Sequence, residues 1–210
     1  MNGRLILAGS VALLAAGGAV GAFVLWRQSS DTHDQSNEEL QSAREYMDSA
    51  RSTTDRAKIQ SYLTEARAHA NKAGQLWEKN IYEAMLIDGE ALIRLTKYSS
   101  AVEVLERALA LHPDDAKAAE LAAGAHHQSF LLAKRDSDLA AAFQLYEKAA
   151  DLGAPPRVLL AAAQLAESAN QQELADKYID RLQAAAPNAP EVDSARALRE
   201  ARAARPGGGK

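Results

Sequence analysis

The sequence predicts an all-α protein with one apolar helix near the N-terminus, followed by a stack of paired amphipathic helices. Residues 5–26 carry no charge. From residue 38 onward, apolar residues recur at spacings of three and four, which is typical of helices with one buried face. Pairs of small residues seven positions apart also recur along the chain. The composition favours closely packed helices, because only 5% of residues are aromatic and alanine is the best helix former.

Composition also excludes several classes of function. The chain has no cysteine, which excludes disulfides, thiolate zinc sites, cysteine nucleophiles and a lipid-modified cysteine. Residues 1–30 contain two arginines and no acid, so the net charge of −4 comes from an acidic body. Nucleic-acid binding needs a concentrated basic face. The sequence has no such stripe, and we expect no nucleic-acid partner.

The apolar stretch from Leu5 to Trp26 predicts a membrane anchor, residues 1–27. Its 22 uncharged residues stand between Arg4 and Arg27. As a helix they span roughly 33 Å, against about 30 Å for the hydrocarbon core of a bilayer. The alternative is a signal peptide cleaved after the small residues at 20–22, although this apolar stretch is longer than the usual 7–15 residues or so.

The few charges that flank this stretch favour a cytoplasmic N-terminus and a body on the far side of the membrane. The amino group and Arg4 lie before it, and Arg27 is followed by Asp31 and Asp34. We therefore predict a single-pass protein of a bacterial inner membrane, with its C-terminal body in the periplasm. The alternative is a tether of a eukaryotic organelle that faces the cytosol.

Residues 82–115 form the clearest helix pair. Met85, Gly89 and Leu92 fall on one face of a first helix, and a turn is expected near residues 97–100. The second helix has an equivalent apolar face, and Pro113 ends the unit because proline cannot continue a helix. The small and apolar residues of that second face are Ala101, Leu105, Ala108, Leu109 and Leu111.

This unit resembles the tetratricopeptide repeat, a helix-turn-helix of 34 residues. Gly89 matches the small residue of the family's first helix, Ala101 and Ala108 match those of the second helix, and Pro113 matches the terminal proline. Tyr98 matches the aromatic residue of the turn, whereas Met85 replaces the tryptophan of the consensus. The resemblance implies a right-handed α-α superhelix of three to four helix pairs.

The spacing of seven recurs in later units. Ala142 and Ala149 repeat it, as do Ala175 and Leu182. The second unit contains about seven extra residues, which we place between its helices in 126–138, and its end, YEKAADLGAPP, also resembles a Sel1-like repeat. The predicted organisation is a linker at 28–37, a degenerate helix pair (or a helical hairpin or short coiled coil) at 38–80, TPR-like repeats at 82–115, 116–155 and 156–189, a capping helix at 190–204 and a disordered tail at 205–210.

The resemblance implies that the first helices of the repeats line a protein-binding groove. The family's carboxylate clamp is absent, and the apolar residues among these positions suit a helix or an extended peptide. The alternative is that the same residues pack against a neighbouring helix. The predicted groove residues are Glu83, Leu86, Ile87, Glu90, Ile93, Arg94, Leu160, Gln164 and Glu167.

No pattern predicts catalysis, a metal site or a cofactor. The five histidines lack metal-binding spacing; we expect His126 to pack in the core and His127 to face the groove. The function favoured by the sequence is that of a membrane-anchored scaffold that binds a protein or peptide, as an accessory factor in envelope assembly or secretion. The alternatives are a self-associating structural protein, a released periplasmic repeat protein and, least favoured, an enzyme with a site near 126–138.

Overall fold

The computed structural model describes residues 30–204 of the chain. Over this range the protein is helical and has no strand, so the all-α prediction is confirmed there. A short 3₁₀ helix, Glu78–Asn80, precedes α3. The α-helices are α1 at 30–52, α2 Arg56–Leu76, α3 Ile81–Arg94, α4 Tyr98–Leu111, α5 Ala116–Ala133, α6 Asp136–Asp151, α7 Arg157–Ser168, α8 Gln172–Ala185 and α9 Pro190–Ala203.

Helix α1 includes residues that the sequence did not predict to be helical. The linker predicted at 28–37 is wrong for residues 30–37, which are helical. The reason is a buried polar contact that continues the packed face of α1. The Ser36 hydroxyl donates to the Ala73 carbonyl at 2.7 Å and accepts from the Asn80 side-chain amide at 2.9 Å. An apolar pattern cannot indicate such a residue.

Local chemistry explains where the helices start and turn. The Asp55 carboxylate accepts two backbone N–H groups in the first turn of α2, and Asp115 accepts one in α5, as N-cap residues do. The turns after α3, α5 and α7 each contain a residue in the left-handed region, namely Thr96, Lys134 and Asn170. Such a residue lets the chain leave a helix and reverse direction.

The extra residues of the second unit extend its helices. We predicted an insertion between them, but only residues 134–135 separate α5 from α6. Helix α5 has 18 residues and α6 has 16, whereas α3 and α4 have 14 each. Because the added residues continue both helices, the helix pair is longer than its neighbours rather than interrupted by a loop.

The small residues spaced by seven lie at the contacts between helices. Alanine at these positions allows two helix backbones to approach closely without a cavity. Seven of the eight positions hold alanine and the eighth holds Leu182, and all are fully buried: Ala66, Ala73, Ala101, Ala108, Ala142, Ala149, Ala175 and Leu182.

The buried side chains that form the core differ in size and type along the stack. One large cluster joins α5 to α9 and includes Tyr146, Tyr178 and Leu182. A middle cluster joins α3, α4 and α5 around Leu92 and Leu105. The helices α1, α2 and α3 share smaller clusters, built largely from alanine: Ala43, Met47, Ala50, Leu63, Ala66, Ala70, Ala84 and Ala91.

The predicted anchor, residues 1–27, and the predicted tail, residues 205–210, lie outside the described residues. No helix within residues 30–204 is both long enough and apolar enough to cross a bilayer. The last described helix, α9, begins with a proline in its first turn and packs against α7 and α8.

Candidate functional site

The odd-numbered helices form one layer of the molecule. Helix α3 contacts α5, α5 contacts α7, and α7 contacts α9, while side chains of α1 bond to α3. Each even-numbered helix from α4 to α8 packs on the helices before and after it in the chain. We call the outward side of the odd-numbered helices the first-helix face; all nine predicted groove residues belong to α3 and α7 in this layer.

Three polar groove residues of α3 contact α1. Glu83 accepts from the Arg44 Nε at 2.9 Å, and Glu90 accepts from the Arg51 Nη2 at 2.7 Å. Arg94 donates through Nη2 to the carbonyl of Ala50 at 2.8 Å. These contacts favour the alternative stated above, that the residues pack against a neighbouring helix.

The apolar groove residues of α3 divide between two neighbours. Ile87 packs against the N-terminal clusters shared with α1 and α2. Leu86 and Ile93 instead pack against the middle cluster, which includes Ala122 and Ala125 of α5. All three side chains remain partly exposed. The sequence could not indicate this division, because it depends on which helix lies on each side of α3.

The groove residues of α7 have three different environments. Glu167 accepts from the Arg202 Nη1 of α9 at 2.7 Å, and their side chains are only 9% and 12% exposed. Leu160 packs against the C-terminal core. Gln164 is exposed. Of these three, Gln164 alone presents its side chain to solvent without a described side-chain contact, since the one bond given for it is made by its backbone carbonyl.

A strip between α3 and α5 differs from the rest of the first-helix face. Leu86 and Ile93 of α3 and Leu121 of α5 all pack against the middle cluster, and all three are partly exposed. On the same outward side of α5, a Cβ added to Gly124 would have no atom within 4 Å. We call these four residues the central strip. It combines apolar side chains with open space.

The central strip is uncharged, whereas the first-helix face on either side of it contains ion pairs. Arg44 and Arg51 pair with acids across α1 and α3, Arg157 pairs with Glu120 across α5 and α7, and Arg202 pairs with Glu167 across α7 and α9. Within residues 30–204, no ion pair joins α3 to α5. The first-helix face is therefore held by internal ion pairs on both sides of an uncharged strip.

Two residues of the central strip, Leu121 and Gly124, were missed by the sequence analysis. They stand 34 residues after Ile87 and Glu90, which is one tetratricopeptide unit. Extending the predicted positions from the first unit to the second would have found them. Their absence from the prediction reflects the extra residues of the second unit, which obscured its register.

Polar residues in the long helix pair form a second, buried group. The Asp138 carboxylate accepts from the Ser129 hydroxyl and the Arg135 Nε, both at 2.8 Å, and lies 3.1 Å from His126 Nδ1. Burial acts to raise the pKa of Asp138, but these three hydrogen bonds lower it below its ordinary value. His126 Nε2 also lies 3.2 Å from Glu106 on α4, so the group ties α4, α5 and α6 together.

The two neighbouring histidines of α5 are both buried. His126 is 6% exposed, which agrees with the predicted core position, whereas His127 is 7% exposed and faces the interior instead of the groove. The Nδ1 of His127 lies 3.0 Å from the Tyr146 hydroxyl, and burial lowers the pKa of His127 to about 4. Nowhere in the described range do three histidine, aspartate or glutamate side chains form a group that could hold a metal.

Comparisons with known proteins bear on the fold. No family model and no curated protein matches the chain. Among solved structures, PilF of Pseudomonas aeruginosa superimposes with a TM-score of 0.50 and 22% identity, over 67% of this chain and 61% of the PilF chain. The match thus spans less than two thirds of the length of PilF.

Two structures of MamA are also similar. MamA 41-end of Desulfovibrio magneticus RS-1 matches with a TM-score of 0.49 and 18% identity, and a MamA RS-1 double mutant matches with 0.49 and 17%; both matches cover 74% of this chain and 93% of the MamA chain. Of these three, PilF alone reaches a TM-score of 0.5, so the fold assignment depends on it. The chain has a helical-repeat fold similar to that of tetratricopeptide proteins.

Proposed function

We propose that the chain is a scaffold that binds an apolar protein segment along the central strip. The observation that carries the proposal is the combination of Leu86, Ile93 and Leu121 with the open space above Gly124. Partly exposed apolar side chains around an unfilled space can accept apolar side chains of a helix or an extended peptide. The remainder of the first-helix face stabilises the stack.

The paired charges on either side support an uncharged partner segment. Glu83, Glu90, Glu120 and Glu167 each accept hydrogen bonds from an arginine of the adjacent odd-numbered helix. A strongly basic or acidic segment would have to compete with these pairs for its own contacts. An apolar segment on the central strip leaves all four pairs intact.

The proposed setting is the bacterial envelope. The uncharged stretch at 5–26 would anchor the chain in the inner membrane and hold the repeats in the periplasm, where the scaffold would act in envelope assembly or secretion. A reporter that is active only outside the cytoplasm, fused after Lys210, tests this placement. Activity at full size supports a retained anchor, activity at a reduced size supports a cleaved signal peptide, and inactivity places the repeats in the cytoplasm.

A substitution at Gly124 tests the binding proposal. Gly124→Leu fills the open space, and its Cβ meets no atom within 4 Å, so we expect the helix to fold normally. After crosslinking in membranes, a protein recovered with the natural chain should be reduced at least tenfold with this variant. Ala140→Leu is the matched control, since Ala140 is exposed on α6, away from the first-helix face.

The pattern of recovery across the variants decides the result. A partner that is lost with Gly124→Leu but retained with Ala140→Leu supports the central strip. Equal recovery with both variants contradicts it. If the crosslinked species is a second copy of the chain, the strip mediates self-association, and light scattering of the natural chain should show a concentration-dependent dimer that Gly124→Leu abolishes.

The proposal assigns the chain no catalytic activity, which stays a prediction from the sequence. The part of the chain where an enzyme site was considered, residues 126–138, contains the buried group around Asp138. Its described polar atoms hydrogen-bond to one another or approach Glu106. Such a closed network is suited to fixing helix positions, and a structural role accounts for its contacts.

A further inference from the structure

A cavity lies where the first turns of α2 approach the end of α3. Its volume of about 150 Å³ is far above the roughly 15 Å³ that one water requires. Ile59 and Leu63 supply apolar walls, and the exposed residues Arg56, Gln60 and Thr96 place it at the surface. Arg94, at the end of α3, completes the polar part of its lining.

Arg94 has an unused hydrogen-bond donor. Its Nη2 donates to the carbonyl of Ala50 at 2.8 Å, which fixes one arm of the guanidinium. Its Nη1 is buried and has no acceptor within the described part of the chain. A buried donor without a partner is costly, so an acceptor that reaches Nη1 would be favoured.

The charged residues that line the cavity are both arginines. Arg56 forms no ion pair with any residue in 30–204, and no carboxylate lines the cavity. The adjacent Asp55 does not line the cavity; its carboxylate accepts from the backbone N–H groups of Ala57 and Lys58 at the start of α2. Two guanidinium groups therefore border a cavity whose lining contains no carboxylate.

We propose that this cavity binds a small oxyanion, a carboxylate or a phosphate group, between Arg56 and Arg94. The guanidinium donors form a fork that matches the geometry of both groups. Because Nη1 has almost no accessible surface, the Arg94 guanidinium must turn toward the cavity for Nη1 to reach the anion. Gln60 and Thr96 also line the cavity and can donate further hydrogen bonds. This inference is independent of the central strip and of the identity of any partner there.

Calorimetric titration of the full-length chain in a non-ionic detergent tests the proposal. Sodium phosphate and sodium acetate are titrated separately, against sodium chloride at equal ionic strength. One saturable site is expected for at least one of the two anions. Tighter binding of phosphate assigns a phosphate-bearing ligand, and tighter binding of acetate assigns a carboxylate.

Two single substitutions connect the binding to the cavity. Arg56→Gln should weaken the anion at least tenfold without loss of helicity, because the exposed Arg56 makes no described ion pair. Arg107→Gln, which changes an exposed arginine of α4 outside this cavity, should leave binding unchanged. The proposal is overturned if neither anion gives saturable heat beyond chloride, or if the two variants lose affinity equally.

Discussion

Gly89 and Leu105 approach so closely that a side chain on the glycine would overlap the leucine. A Cβ built on Gly89 lies 2.5 Å from both Cγ and Cδ2 of Leu105. This distance is too short for non-bonded carbon atoms, so one of the two groups would have to move. Leu105 is fully buried, so its side chain could move away only by repacking within the core. The crossing of α3 and α4 therefore depends on the missing side chain.

Alanine at Gly89 should destabilise the protein, whereas alanine at Gly124 should stabilise it. Overpacking costs about 1–3 kcal/mol, and the better helix propensity of alanine returns only about 1 kcal/mol. At Gly124, where the added Cβ meets nothing, the gain of about 1 kcal/mol remains. Urea unfolding of both variants checks this, and a Gly89→Ala protein as stable as the natural one would contradict the close packing.

Acid should destabilise the protein through His127. The folded state holds this histidine neutral, with a pKa of about 4 against an ordinary value of 6.5, so protons bind the unfolded chain first. The contribution of His127 to the free energy of unfolding is fully present above pH 6.5. It is lost as the pH falls toward 4, by about 1.4 kcal/mol per pH unit. Urea midpoints measured between pH 7 and pH 4 should fall less steeply in His127→Gln. Parallel curves for the two proteins would exclude His127 as the cause.

Removing the Asp138 carboxylate should cost about 3 kcal/mol. Asp138→Ala leaves His126, Ser129 and Arg135 without their shared acceptor, and unpaired buried polar groups are strongly destabilising. The matched control is Asp136→Ala, an exposed acid in the first turn of the same helix, for which about 0.5 kcal/mol is expected from the helix dipole. Thermal unfolding of both variants gives the comparison, and equal losses would mean that the buried group contributes nothing specific.

The ion pair between Glu167 and Arg202 should be stronger than pairs on the open surface. Its side chains are 9% and 12% exposed, against 73% and 52% for Asp48 and Arg51. A double-mutant cycle should give a coupling of about 2 kcal/mol for the buried pair and below about 0.5 kcal/mol for the exposed one. The buried coupling should also persist in 1 M salt, where screening removes surface attraction. Similar values for both pairs would show that burial does not strengthen the first.

Replacing Thr96 should relieve strain in the turn after α3. Its φ of 60° places a β-branched residue in the left-handed region, which costs about 1–2 kcal/mol for a residue with a side chain. Thr96→Gly should therefore raise the free energy of unfolding by about 1 kcal/mol. Asn170→Gly, at the equivalent turn after α7, should change it less, because asparagine tolerates this conformation. Chemical denaturation of the pair tests the difference.

The fold could be predicted from the sequence wherever apolar or small residues recur at a regular spacing. Apolar spacing and the small residues seven apart predicted the helices and their contacts, and Ala101, Ala108, Ala142 and Ala149 are indeed fully buried. The predicted linker failed because Ser36 is a buried polar residue whose partners, Ala73 and Asn80, lie far along the chain. A hydropathy pattern cannot predict a hydrogen bond between residues that are far apart in the sequence.

The candidate site could be predicted only in part, because contacts between distant residues leave no periodic pattern in the sequence. The register of the repeat selected the outward positions of α3, but it could not show that Glu83, Glu90 and Arg94 are engaged by α1. It also could not show that Asp138 meets His126 across a turn. Packing between repeats decides which helix covers which face, and the spacing of residues within one helix does not predict it.

The uneven core has a consequence for how the molecule opens. The large, tyrosine-containing cluster that joins α5 to α9 favours the unfolding of those helices as one unit. The clusters of α1 and α2 are smaller and consist largely of alanine, with Met47 and Leu63 as their large buried side chains. Fluctuations of a repeat array begin where the interfaces between neighbours are weakest. The N-terminal pair should thus exchange its amide hydrogens before the C-terminal block does. A ligand on the central strip would contact α3 and α5, and it would therefore strengthen the interface between the middle of the stack and the C-terminal block.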